Sequence, residues 1–81
     1  MYYVYLLKDS HETLYIGYSS NLQQRLKSHL NKEVITTSKM ENPRLIYYES
    51  YELESLARRR ELKLKQFGSS YAGLLKRLGL K

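Results

Sequence analysis

The chain of 81 residues contains no cysteine. That excludes disulfide frameworks, thiolate metal centres and cysteine nucleophiles, and nothing points to an oxidising compartment. No apolar run approaches the roughly 20 residues that cross a bilayer, and the amino terminus has no basic segment leading into an apolar stretch. Neither a membrane anchor nor a leader is therefore expected, and the expected location is the cytoplasm. Repeats and low-complexity segments are absent as well. The length leaves no room for a second catalytic domain: one domain over 1–81 is expected, burying only about 60–65% of the surface its unfolded chain exposes. Acidic residues are scarce, with eight Asp plus Glu against fourteen Lys plus Arg, a formal charge of +6. Such a field draws a protein towards polyanions, nucleic acid first among them, although charge alone serves solubility equally well.

What is present is tyrosine, nine in all, five of them between Tyr2 and Tyr18. Tyr2 to Lys8 is rich in aromatic and β-branched residues and reads as a strand. Alternation sets Tyr3, Tyr5 and Leu7 on one face and Tyr2, Val4 and Leu6 on the other; both faces are apolar, so a central strand is predicted. A polar turn over Asp9 to Thr13 and a second run from Leu14 to Tyr18 complete a hairpin. Ser20-Asn21-Leu22-Gln23 has the form of a capping box with Ser20 as the cap, and Leu22, Leu26 and Leu30 form an apolar stripe on the helix that follows. Lys32 to Pro43 has no period and reads as a polar loop with at most a short helical turn. Beyond Pro43, the only proline, Arg44 to Tyr51 reads as a third strand. Leu53, Leu56, Ala57, Arg60 and Leu64 keep helical spacing up to a stop at Gly68. A last helix within Ser69 to Leu78 brings Leu74, Leu75 and Leu78 to the core. The order ββαβαα implies a small α+β domain, a three-stranded antiparallel sheet flanked by helices.

Several residues invite a second reading. Arg25 and His29, four apart, share one helical face beside the leucine stripe and bring two potential cations near the sheet, although an arginine stem on apolar surface and a boundary histidine are ordinary. Taken at 100° per residue, Glu61 falls near 80°, at the edge of the buried arc of its helix; a solvated pair with Arg58 or Lys65 accounts for it equally. Most of the tyrosines simply suit a sheet. Tyr5 and Tyr15 stand apart, because the hairpin is expected to set them face to face just before a glycine and the helix of Arg25 and His29.

Tyr3-Val4-Tyr5, Tyr15-Ile16-Gly17, the segment from Ser19 to His29 and the segment from Ala57 to Lys65 resemble, in order and interval, the GIY-YIG nuclease superfamily. The likeness runs from about Tyr2 to Phe67 and is greatest to short stand-alone bacterial members, similar to the amino-terminal nuclease domain of the excision-repair incision protein. The resemblance implies catalytic roles for Tyr5, Tyr15, Arg25, His29 and Glu61, with Glu61 the ligand of one divalent cation, Mg²⁺ or Mn²⁺. It also implies hydrolysis of DNA phosphodiesters to a 5′-phosphate and a 3′-hydroxyl, in repair or processing. Arg25 and a cation on Glu61 suit the charge of a pentavalent transition state, and a tyrosine can take a proton from water if a cation, Arg25 or a protonated His29 stabilises its phenolate.

Three departures accompany the likeness. Tyr3-Val4 replaces Gly-Ile in the first motif, and the family's asparagine after the second helix is missing, with Gly73 near its place. No appended DNA-reading module is expected from these 81 residues, so structure-selective or non-specific cutting is expected, with a protein partner a further source of specificity. Lys27, Lys39, Arg44, Arg58, Arg59, Lys63 and Lys65 are the candidates to hold phosphates, with DNA ranked ahead of RNA as the ligand. A nucleic-acid-binding module with weakened catalysis is the alternative on the same fold, and a protein-interaction domain the reading from another class. Nothing in the sequence speaks to oligomeric state.

Overall fold

A computed structural model describes residues 1–80. Its elements follow the predicted order: β1 (Tyr2–Lys8), β2 (Leu14–Ser19), α1 (Leu22–Leu30), a 3₁₀ turn (Ile35–Thr37), β3 (Arg44–Tyr51), α2 (Glu54–Lys65) and α3 (Ser69–Arg77). The sheet is antiparallel in the order β2-β1-β3, so the strand with two apolar faces is indeed central. Val4 and Leu6 meet Ile16, Ala57, Leu64, Leu74 and Leu75 on the face covered by α2 and α3. Tyr5 and Leu7 meet Met40, Tyr15, Leu22, Leu26 and Leu45 on the face covered by α1 and the loop after it. Alternation along one strand thus builds two cores, which is how a short chain buries both sides of its sheet. On β3 the register slips by one residue between Leu6 and Leu7, and the extra residue, Ile46, joins Tyr47 against the α2–α3 core.

The structure moves four expected details. The cap of α1 is Asn21, whose side-chain oxygen accepts from the Gln24 amide at 3.2 Å, one residue later than the predicted Ser20. Asparagine caps as well as serine, and the cap three residues before a free amide takes the bond. Leu30 is 63% exposed. Steps of four advance 40° per repeat, so the inward face of α1 is instead Leu22, Arg25, Leu26 and His29, at i, i+3, i+4 and i+7. In α2 the same spacing turns Ala57, Arg60, Glu61 and Leu64 inward, while Leu53 precedes the helix and Leu56 lies on its flank, both exposed. Finally, α2 ends on Phe67, which takes the left-handed turn at φ 56°, and Gly68 opens α3.

Arg60 turns inward because Glu49 waits on β3: the guanidinium donates from Nε at 3.0 Å and from Nη2 at 2.9 Å, and the hydroxyls of Tyr47 and Tyr51 donate to the same carboxylate. Burial opposes ionisation of Glu49, but Arg60 and the two tyrosines outweigh it and hold the carboxyl below its ordinary 4.5. Asp9, in the hairpin loop, is held below its ordinary 3.8 in the same way, burial being outweighed by the amides of Thr13, Glu41 and His11. Both acids titrate lower folded than unfolded, so their stabilisation is complete above those ordinary values and is lost as pH falls through the lowered ones. Glu49→Ala is expected to destabilise the fold by about 2–3 kcal/mol, since it strands three donors. Urea unfolding should show that loss at pH 7 and a smaller one at pH 3.5, where the wild type has itself lost part of the contribution.

Candidate functional site

Tyr5 lies on the central strand with its ring across Gly17, its partner in the β1–β2 register. A Cβ at Gly17 would sit 2.3 Å from Cζ of that ring, so only glycine fits beneath it. Tyr15 pairs with Leu7 and is therefore diagonal to Tyr5, not opposite it as expected from the hairpin. The two rings still approach, with centroids 6.3 Å apart, and His29 stands over both at 5.7 Å and 5.2 Å. Gly17→Ala is expected to force the Tyr5 ring off its seat, destabilising the fold by about 1–3 kcal/mol. The shift should be visible as a changed Tyr5–His29 cross-peak pattern by NMR.

A hydrogen-bonded chain runs inward from Tyr5. Its hydroxyl is 2.7 Å from His29 Nε2, and His29 Nδ1 is 2.6 Å from Thr37 Oγ1. The Thr37 hydroxyl donates to the Val34 carbonyl at 3.4 Å, which leaves its oxygen to accept from Nδ1–H. His29 is thereby assigned the tautomer whose bare Nε2 accepts from Tyr5. Tyr5, His29 and Thr37 are 1%, 2% and 1% exposed. Burial first, then the nearby Arg25 charge, lowers the His29 pKa, so the imidazole is neutral at pH 7. Burial pushes the Tyr5 pKa up to about 12; hydrogen bonding by Arg25 opposes the rise, while Tyr15 and Glu61 add to it. Of the three groups offered to stabilise a phenolate, His29 is thus disfavoured: burial and Arg25 keep it uncharged, while burial, against the pull of Arg25, keeps Tyr5 protonated.

Arg25 sets its guanidinium against the Tyr5 and Tyr15 hydroxyls, and its own pKa is raised, by Tyr5 above all. Its Nε is buried with no hydrogen-bond partner. Glu61 reaches the cluster from α2 through its charge, felt at Tyr5, and pairs with Lys65 at 3.0 Å, with 17% of its side chain exposed. Of its two expected partners Lys65 is therefore the one engaged, and Arg58 instead bridges Glu54 and lies 3.9 Å over the Tyr18 ring.

Five residues from four elements, β1, β2, α1 and α2, thus share one neighbourhood, together with Thr37 of the 3₁₀ turn, which the sequence reading missed. Nothing marks Thr37 in the sequence, since it lies in the stretch with no period and its role depends on a contact eight residues away. The basic candidates do not form one stripe. Lys65, Arg58, Arg59 and Lys63 are on α2 and Lys27 is on α1, whereas Lys39 is in the loop before β3 and Arg44 opens β3, the edge of the sheet opposite to β2; all seven are exposed.

The family model described as the GIY-YIG catalytic domain matches residues 1–73. The chain belongs to the GIY-YIG family. Among its relatives, the UPF0213 protein of Clostridium perfringens is 37% identical over 67 residues, 82% of this chain and 72% of that one. The UPF0213 protein of Staphylococcus saprophyticus is 31% identical over 82% of both chains. Its fold is similar to the solution NMR structure of the UPF0213 protein of Bacillus halodurans, at a TM-score of 0.59 and 25% identity, over 96% of this chain and 85% of that one. GIY-YIG membership makes this a domain of a nuclease family acting on nucleic acid. No helix among the described residues is long and apolar enough to cross a membrane.

Proposed function

We propose that this GIY-YIG domain is a metal-dependent endonuclease that hydrolyses DNA phosphodiesters without sequence specificity. The observation that carries the reading is the packing of Tyr5, Tyr15, Arg25 and His29 around a neutral imidazole, with the Glu61 carboxylate at their margin. A purely structural cluster would not keep a buried arginine Nε without an acceptor, at a cost of about 1–3 kcal/mol.

Burial divides the roles. Arg25, Tyr15 and Glu61 are half-buried and form the wall that a phosphate can meet. Tyr5 is buried behind that wall, 1% exposed. Its hydroxyl receives a proton from the attacking water while passing its own to His29 Nε2; the resulting hydroxide bonds to phosphorus, the P–O3′ bond breaks, and the 3′-oxygen leaves and is protonated by solvent. Thr37 holds His29 in the accepting tautomer, and Arg25 neutralises the charge gathering on the non-bridging oxygens.

The donor set suits a hard cation retaining most of its waters: Glu61 offers carboxylate oxygen, and no group of three or more His, Cys, Asp or Glu among the described residues encloses a site. When bound, Mg²⁺ or Mn²⁺ would supply Lewis-acid stabilisation of the phosphate, with Lys65 displaced from Glu61. The test is a panel of labelled single-stranded, duplex, flap and branched DNA, with matching RNA, incubated with Mg²⁺, Mn²⁺ or EDTA. Metal-dependent cleavage with 5′-phosphate products is expected. Tight binding with no cleavage in either metal would leave a nucleic-acid-binding module in its place.

A further inference from the structure

Beside the cluster, along the free edge of β2, lies a pocket of about 340 Å³ that the chemistry above does not use, lined by Leu14, Tyr15, Ile16, Thr36, Lys65, Phe67 and Tyr71. Its size falls at the small end of ligand pockets, about 300–1,000 Å³. Two of its walls belong to the cluster: Tyr15 directly, and Lys65 through its 3.0 Å pair with Glu61. The far wall is Phe67, set edge-to-face on Tyr71 with ring centroids 4.9 Å apart.

Beyond its edge contact with Tyr71, Phe67 is a costly residue for its place. It is 64% exposed, and it occupies the left-handed position that ends α2, where glycine is favoured and a bulky side chain costs about 1–2 kcal/mol. A strained backbone presenting a flat apolar ring to solvent, next to a lysine and a phosphate-facing wall, is the layout of a stacking platform for single strands.

We propose that this pocket takes one unstacked nucleobase of the substrate, stacked on Phe67 against Tyr71, with the adjoining phosphate passing Lys65 towards Arg25. The occupant is a base in preference to a peptide because the pocket is continuous with Tyr15 and has a cation at its mouth, matching a planar apolar group joined to an anion. A base in a perfect duplex is stacked on its neighbours and cannot enter, so the pocket selects single strands, flaps and distorted sites. The proposal rests on the nuclease reading for where the phosphate lies, and it is tested without cleavage.

The test is equilibrium binding, in EDTA, of single strands carrying 2-aminopurine at successive positions and of a matched perfect duplex, to the wild type, Phe67→Gly, Phe67→Trp and Tyr48→Ala. Phe67→Gly relieves the left-handed strain, so a fold at least as stable as wild type, checked by thermal unfolding, separates lost stacking from lost structure. Expected are 2-aminopurine quenching by the wild type and Phe67→Trp, and its loss in Phe67→Gly. Single-strand affinity should fall about tenfold in that variant while duplex affinity stays within twofold. Tyr48→Ala, whose ring is exposed elsewhere, should leave the quenching unchanged. Equal loss for both ligands, a single-strand change under twofold, or absent quenching in the wild type overturns the base pocket. So does a concentration-dependent dimer by sedimentation that Phe67→Gly abolishes, since the pocket would then hold a second copy. Metal-dependent cleavage by the wild type decides the nuclease reading separately: cleavage without quenching removes only the pocket, and quenching without cleavage removes only the chemistry.

Discussion

Glu61→Gln is expected to lower cleavage by about 10²- to 10³-fold or more while leaving nucleic-acid binding intact. The substitution keeps the shape of the side chain and removes its charge, and three measurable quantities then move in different directions. Stability should scarcely change, because the Lys65 pair it breaks is an i,i+4 contact with 45% of the lysine side chain exposed, a class worth about 0.3–0.5 kcal/mol. Affinity for DNA in EDTA should stay the same or rise slightly, since an anion has left a surface that meets phosphate. Mn²⁺ binding, followed by titration calorimetry in the absence of DNA, should fall below detection. If wild type and variant cut at the same rate, the cleavage is a contaminant's and the enzyme reading fails. If the variant loses DNA affinity in EDTA as well, Glu61 is holding the fold of the cleft and not a cation.

The order of elements was legible because each obeys a local rule: two-residue alternation in β1, a turn over 9–13, helical spacing in α2 and paired leucines in α3. The errors arose where a rule had two local solutions that tertiary packing decides. Ser20 and Asn21 are equally good caps, and the amide of Gln24 selected Asn21. Leu30 fits a four-residue repeat, yet the i, i+3, i+4, i+7 spacing that faces the sheet chose His29 in its place. The helix stop is an aromatic at positive φ where the rule favours glycine, so local preference pointed to Gly68 and the chain departs from it at a residue that lines a pocket. For the candidate site, the residues on regular elements were legible and their polarity was not. That His29 is neutral follows from burial and from Arg25, and that Tyr5 is protonated follows from burial in spite of Arg25; spacing reveals neither. Gly17 is a case of the reverse kind, a glycine whose necessity became intelligible only with the Tyr5 ring above it.

Tyr5→Phe, His29→Gln and Thr37→Val form a graded series along one proton path. Tyr5→Phe keeps the ring over Gly17 and removes the oxygen that exchanges protons with water and with His29, so single-turnover cleavage should fall about 10²- to 10⁴-fold. His29→Gln should fall in the same range, and the double variant should lose little more than either single one, because both remove the same step. Full cleavage by Tyr5→Phe together with loss in the His29 variant would mean that the water delivers its proton without Tyr5.

Thr37→Val preserves shape and leaves Nδ1–H without an acceptor, so the imidazole no longer favours the tautomer that accepts from Tyr5; a loss of about tenfold is expected. A merely structural threonine would not change the tautomer, which the imaging of imidazole ¹⁵N shifts by NMR reports directly. The pH profile adds a sign. Cleavage requires neutral His29, whose pKa burial and Arg25 hold below the ordinary 6.5, so the rate should be level through neutrality and decline only at more acid pH. Folding stability follows the same group: the unfolded chain gains its proton first, so the contribution is full above 6.5 and is lost as pH falls through the lowered folded value. Replacing Arg25 with glutamine removes the cation that disfavours imidazolium, and the acid limb of any residual cleavage should move up towards 6.5. A limb that stays in place would leave burial alone responsible for the neutral imidazole, and would assign Arg25 to the phosphate only.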